Sequence, residues 1–254
     1  MFLPKIALLL AVSTAALSAE QAREPGAMLR EGHWVSDVGA YSVPQALESI
    51  KPANWPVDGW YRLTLRPREV LVESAPSTAG PMPDFLRPIV TVLEAQAALR
   101  ASESPSLSDA PEAPDRIYLR VPQLRLPLGS AEAYLFRNGT TSLRPILDNR
   151  YELQLGQRAF AFTVHNGLRG KNGDAYGSGA QYTIEYDGNT YEYSLGEFGW
   201  DSTITAIADL DGDGKPDFII SVGGNNSGID AVLLSSQAKP GKNPPTASLF
   251  QIGC

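Results

Sequence analysis

The chain has 254 residues, 43% of them hydrophobic, with 21 basic against 28 acidic side chains and a net charge of −7. That balance excludes nucleic acid as a partner, because phosphate-backbone binding needs a basic face that releases counterions. Two histidines and one cysteine leave no inventory for a zinc site, and 23 glycines with 20 prolines predict short strands joined by many turns rather than long helices.

Residues 1–19, MFLPKIALLLAVSTAALSA, carry Lys5 ahead of an apolar run from Ile6 to Leu17 and end in small residues at Ala19. This is the pattern of a cleaved signal peptide. The run falls short of the roughly 20 apolar residues that cross a bilayer, and no later stretch is longer. The expectation is a mature protein without a membrane span, periplasmic or extracellular. Cys254 has no intramolecular partner, so no disulfide framework is expected, and the chain reads as a monomer.

Residues 20–115 are expected to contribute a strand pair, two short helices and Pro-rich flexible segments. The stretch 20–35 is polar and without period. Residues 42–51 suit a short helix, with Ser42 as cap, Pro44 in the first turn and Pro52 as the stop. Residues 60–73 alternate in two pieces about the Arg66-Pro67-Arg68 break and read as two half-buried strands. Residues 89–100 place Ile89, Val92, Leu93, Ala97 and Leu99 at helical spacing. The segments on either side of that helix are rich in Pro, Ser and Ala and bury too little apolar surface to order themselves.

From residue 116 to 254 the pattern predicts a β-rich domain, an antiparallel sheet or sandwich. Strand-length runs rich in aromatic and β-branched residues include 151–155, 159–165, 181–186, 190–195, 203–209, 217–222, 229–235 and 247–252. Asp187-Gly188-Asn189 between two alternating runs is a hairpin signal. No internal repeat is visible.

The most informative stretch is 209–217, Asp-Leu-Asp-Gly-Asp-Gly-Lys-Pro-Asp. Counting Asp209 as position 1, carboxylates fall at 1, 3, 5 and 9. Calcium takes six to eight hard oxygen ligands at about 2.3–2.6 Å, and one tight loop with this spacing supplies them. Asp209, Asp211, Asp213 and Asp217 are the candidate side-chain ligands, and Lys215 offers its carbonyl. Gly212 and Gly214 permit the backbone angles that wrap a chain round an ion. Position 12 is Ile220 rather than the glutamate of an EF-hand, and the flanks read as strands. The loop is therefore expected to join a hairpin.

The stretch AIADLDGDGKPDFIISVGG resembles the FG-GAP/VCBS repeat, the calcium-loop hairpin of integrin-type β-propellers, over about residues 203–235. More broadly, the C-terminal part is similar to small secreted bacterial proteins of unassigned function that carry one such loop. The resemblance implies calcium held by Asp209, Asp211, Asp213 and Asp217 with the carbonyl of Lys215. A propeller needs four or more blades, and this chain carries one copy.

No nucleophile or acid is spaced to serve His165. Glu197 and Asp201 lie four apart before the hairpin, where a turn pair suits them better than a glycosidase pair across a cleft. The aromatics Tyr182, Tyr186, Tyr191, Tyr193, Phe198 and Trp200 could line a carbohydrate surface, but at strand spacing most of them fit cross-strand packing better. The function expected is a non-enzymatic calcium-binding β-protein whose ion is structural and whose surface meets a protein or a glycan. The alternative is an extracytoplasmic hydrolase acting on polysaccharide through Glu197, Asp201 or His165.

Overall fold

Period-two alternation builds most of this molecule, and where it fails both faces of a strand are buried. The structure, a computed structural model, describes residues 26–30, 44–98, 116–122, 124–165, 168–169, 175–176, 180–195, 201–223 and 227–252. The signal-peptide expectation for residues 1–19 lies outside them. In chain order the elements are β1 (Gly26–Arg30), β2 (Trp60–Arg66), β3 (Glu69–Ser74), α1 (Leu86–Ala98), β4 (Arg116–Arg120), β5 (Gly129–Glu132), β6 (Tyr151–Leu155) and β7 (Arg158–His165). They continue with β8 (Leu168–Arg169), β9 (Ala175–Tyr176), β10 (Gln181–Tyr186), β11 (Asn189–Ser194), β12 (Asp201–Ala208), β13 (Asp217–Gly223), β14 (Ser227–Leu233), β15 (Gly241–Asn243) and β16 (Ala247–Ile252).

The fold is mainly β and its sheets are rich in antiparallel pairs. One sheet has nine strands in the order β12-β13-β14-β16-β1-β4-β2-β3-β5, a second has five in the order β15-β11-β10-β7-β6, and β8 with β9 forms a short ribbon. Among the described residues, only β1 with β16 and β11 with β15 pair in parallel. The large sheet joins strands from both sides of the 99–115 stretch, since β1 lies between β16 and β4.

The two large sheets pack through one apolar layer. Phe160, Phe162, Tyr182, Tyr191 and Tyr193 of the five-stranded sheet meet Ile204, Ile207, Phe218, Ile220 and Leu233 of the nine-stranded one. The four tyrosines 182, 186, 191 and 193 are buried, so they are core rather than a surface. Burial in a low-dielectric layer pushes the Tyr182 and Tyr193 hydroxyls well above the usual tyrosine range. The opposite face of the large sheet carries a second core, in which Ile219, Val232 and Leu249 pack with Met28, Leu63, Leu119 and the α1 residues Leu86 and Ile89. Strand β13 is covered on both faces, which explains its unbroken run Phe218-Ile219-Ile220 in place of alternation. A polar crossing is built into this second side. Arg30 Nη1 lies 2.9 Å from Asp230 Oδ1 and 2.8 Å from Ser221 Oγ, so the charge is paired where it is buried.

Turn chemistry sets register. Asp187 (φ 52°) and Gly188 (φ 72°) form a two-residue type I′ turn that pairs Tyr186 with Asn189.

Two expectations need correction. Among the described residues there is one α-helix, not two. Residues 45–47 and 52–54 form separate 3-10 turns, with Leu47 N–H donating to Pro44 at 2.7 Å and Asn54 N–H to Lys51 at 2.8 Å. Prolines at 44, 52 and 56 withhold donors a helix would need. The indole N–H groups of Trp55 and Trp60 take the carbonyls of Ile50 and Pro56. The one helix begins at Leu86, three residues before the apolar period does, because Pro88 is tolerated in a first turn. The second correction is β1. Residues 26–30 lie in the stretch read as polar and without period, where no strand is expected, yet Ala27, Met28 and Leu29 are buried in the middle of the large sheet.

Candidate metal centre

Strands β12 and β13 are antiparallel neighbours whose last pair is Ala208 with Asp217. Residues 209–216 are the connection between them. A chain that must leave one strand and enter the next within eight residues needs tight turns, and Gly212 and Gly214 supply them at φ 77° each. At Gly212 there is a second constraint. A Cβ there would stand 3.1 Å from Pro127 Cγ, so the β4–β5 connection closes over the loop.

The aspartates organise the loop's backbone. Asp209 accepts from Gly212 N–H at 2.8 Å and from Gly214 N–H at 3.0 Å. Asp211 accepts from Asp213 N–H at 3.3 Å, and Asp213 from Lys215 N–H at 2.9 Å. Asp217 is fully buried; its Oδ2 accepts from Leu210 and Asp211 N–H and its Oδ1 from Ser235 N–H at 2.7 Å.

Asp209, Asp211 and Asp217 each bring a carboxylate oxygen within 4.8 Å of the others, an arrangement that can hold a metal ion. Asp213 stands beside this triplet rather than in it. Its Oδ1 also accepts from Ser235 Oγ at 2.9 Å, and its Oδ2 lies 3.4 Å from Lys215 Nζ. The ammonium of Lys215 is turned toward the Tyr186 ring, 5.9 Å from its centroid.

Electrostatics makes the cluster costly when empty. Two carboxylates about 4 Å apart repel by roughly 4 kcal/mol at an effective dielectric near 20. Burial pushes Asp217 well above the usual carboxylate range, with the charge of Asp211 adding to it. Asp211 is raised too, again by burial first, while its hydrogen bond from Ser236 opposes the shift and Asp213 adds to it. Every donor atom is a carboxylate oxygen, so the set suits a hard cation such as calcium or magnesium and offers nothing to a soft one.

Two residues of this site escape sequence reasoning. The β13–β14 register pairs Phe218 with Leu233, which carries the chain onward until Ser235 and Ser236 stand level with the loop. Ser236 Oγ donates to Asp211 Oδ2 at 2.5 Å, completing the second wall. Only the signature Ser-Ser at a strand end hints at it, and no spacing links that pair to the aspartates.

The remaining candidates do not assemble. His165 ends β7, half-buried, with Nδ1 3.1 Å from Asp148 Oδ1. Glu197 lies outside the described residues, and of Asp201 only its place at the start of β12 is described. No family model matches this chain, nor does any curated protein or solved structure. No helix among the described residues is long and apolar enough to cross a membrane.

Proposed function

We propose that the β12–β13 loop holds one calcium ion, and that the protein is a secreted or periplasmic calcium-binding β-protein in which this ion is structural. The carrying observation is the convergence of the Asp209, Asp211 and Asp217 oxygens within 4.8 Å where β12 turns into its neighbour β13. The FG-GAP/VCBS resemblance of the same loop supports calcium over magnesium, as does the number of oxygens close by. Asp213 and the carbonyl of Lys215 join the ligand set when the ion enters, since the ion's charge outweighs the hydroxyl and ammonium contacts that Asp213 makes now. Export rests on the apolar segment 6–17 behind Lys5.

The protein is read as non-enzymatic, with a surface for protein or glycan contact beside the loop. There Asp209 and Gly214 border an open groove of about 650 Å³ together with Ser130, Glu132, Gln157 and Arg158. Filling the loop would fix this wall of the groove.

Thermal unfolding with calcium and with EDTA tests the reading. A ligand at 100 times its Kd stabilises by about 2.7 kcal/mol. For a protein of this size that is a rise in Tm of about 5–10 °C. Equal Tm values in calcium and EDTA would remove the structural ion.

A further inference from the structure

The two large sheets have four edges, and three are guarded. Strand β12 takes bridges from Ala133 and Leu143 on its outer side and carries a register shift between Ile204 and Ala206. Strand β5 has four residues and starts at Gly129 with φ 130°. Strand β15 has three, between Pro240 and Pro244. These are the ordinary devices that keep a sheet edge from recruiting another strand.

Strand β6, Tyr151-Glu152-Leu153-Gln154-Leu155, has none of them. It pairs with β7 in unbroken register over all five residues and contains no proline, glycine or lysine. Among the described residues no backbone group pairs with its outer side. The two-residue connection to β7 makes Leu155–Arg158 the closing hydrogen-bonded pair, so Glu152 and Gln154 direct their N–H and C=O groups outward. Arg150, placed to guard the edge with its charge, is instead turned across the sheet to Glu152 and Glu185. An open groove of about 760 Å³ borders the strand at Glu152, Leu153 and Gln154.

We propose that this edge pairs with the same edge of a second copy, antiparallel about Leu153, joining two five-stranded sheets into one. The strand's own sequence selects this occupant. Reversed on itself, it sets Leu153 against Leu153 and Tyr151 against Leu155 on the inner face, three side chains only half buried in one copy. On the outer face it sets exposed Glu152 against exposed Gln154, so no like charges meet and the amide can donate to the carboxylate. The arrangement is two-fold and closed, which limits it to a dimer. It departs from the expectation of a monomer and uses no residue of the acidic loop, so it stands apart from the cation reading.

Sedimentation velocity of the full protein from about 10 µM to about 500 µM, a range that spans a small edge-to-edge interface, is the test. The variants are Gln154→Glu and Gln154→Lys, at a solvent-exposed position that leaves the core untouched. Each substitution acts twice across the two-fold axis. Gln154→Glu sets like charges opposite each other and is expected to weaken the dimer about three- to tenfold. Gln154→Lys sets opposite charges and is expected to strengthen it by a similar factor, both effects shrinking at high salt. A monomer throughout the range would overturn the proposal. So would a dimer whose Kd moves the same way, or not at all, in the two variants.

Discussion

Replacing Asp217 with alanine is expected to destabilise the protein by about 3–5 kcal/mol even without any metal. The side chain is fully buried and accepts three backbone N–H groups, from Leu210, Asp211 and Ser235. Truncation leaves those donors without partners, each worth about 1–3 kcal/mol. One gain opposes the loss, because a desolvated carboxylate beside Asp211 is itself strained, as the direction of its pKa records. Asp217→Asn keeps one acceptor oxygen and removes the charge, so it should cost less than half as much. Urea unfolding in EDTA measures both. A loss below about 1 kcal/mol for the alanine variant would mean the loop is not anchored through this residue.

Phe218→Ala, one residue along, is expected to cost a similar amount, about 3–5 kcal/mol, for a different reason. The ring is fully buried in the layer between the sheets. It stands edge-on to Phe160 (6.1 Å, 87°) and to Phe162 (5.9 Å, 80°). Its removal opens a cavity whose walls are fixed by β7 and β13 and cannot close over it. Phe250, 36% exposed on β16, is the control; its truncation should cost under about 1 kcal/mol. Equal losses at the two positions would contradict the placement of the main core between the sheets.

These two neighbours also show what a sequence can and cannot reveal here. Strands β6, β10 and β16 were legible to the residue, because alternation such as Tyr182-Thr-Ile-Glu-Tyr states which face is buried. The turn at Asp187-Gly188 was legible because few residues accept positive φ. The acidic loop was legible because aspartates at positions 1, 3, 5 and 9 with interleaved glycines are the spacing of a tight acidic turn. What escaped depends on partners distant in the chain. Strand β1 is five residues long and has no period of its own; it is held by β16 and β4, some 220 and 90 residues away. Residues 45–54 have helical composition, but prolines and the Trp55 indole N–H, which donates to the Ile50 carbonyl, divert their hydrogen bonds. Ser235 and Ser236 reach the loop only through the register of β13 with β14, which no local pattern encodes.

The acidic loop thus combines carboxylates that repel one another with a converging set of oxygens, and a bound calcium ion would resolve that repulsion. Isothermal titration of calcium into protein stripped with EDTA measures that binding directly, with Asp211→Asn as the partner experiment. One calcium per chain is expected, with weaker binding of magnesium and loss of the signal when Asp211 is replaced. No heat of binding in the intact protein, or binding unchanged in Asp211→Asn, would contradict that expectation.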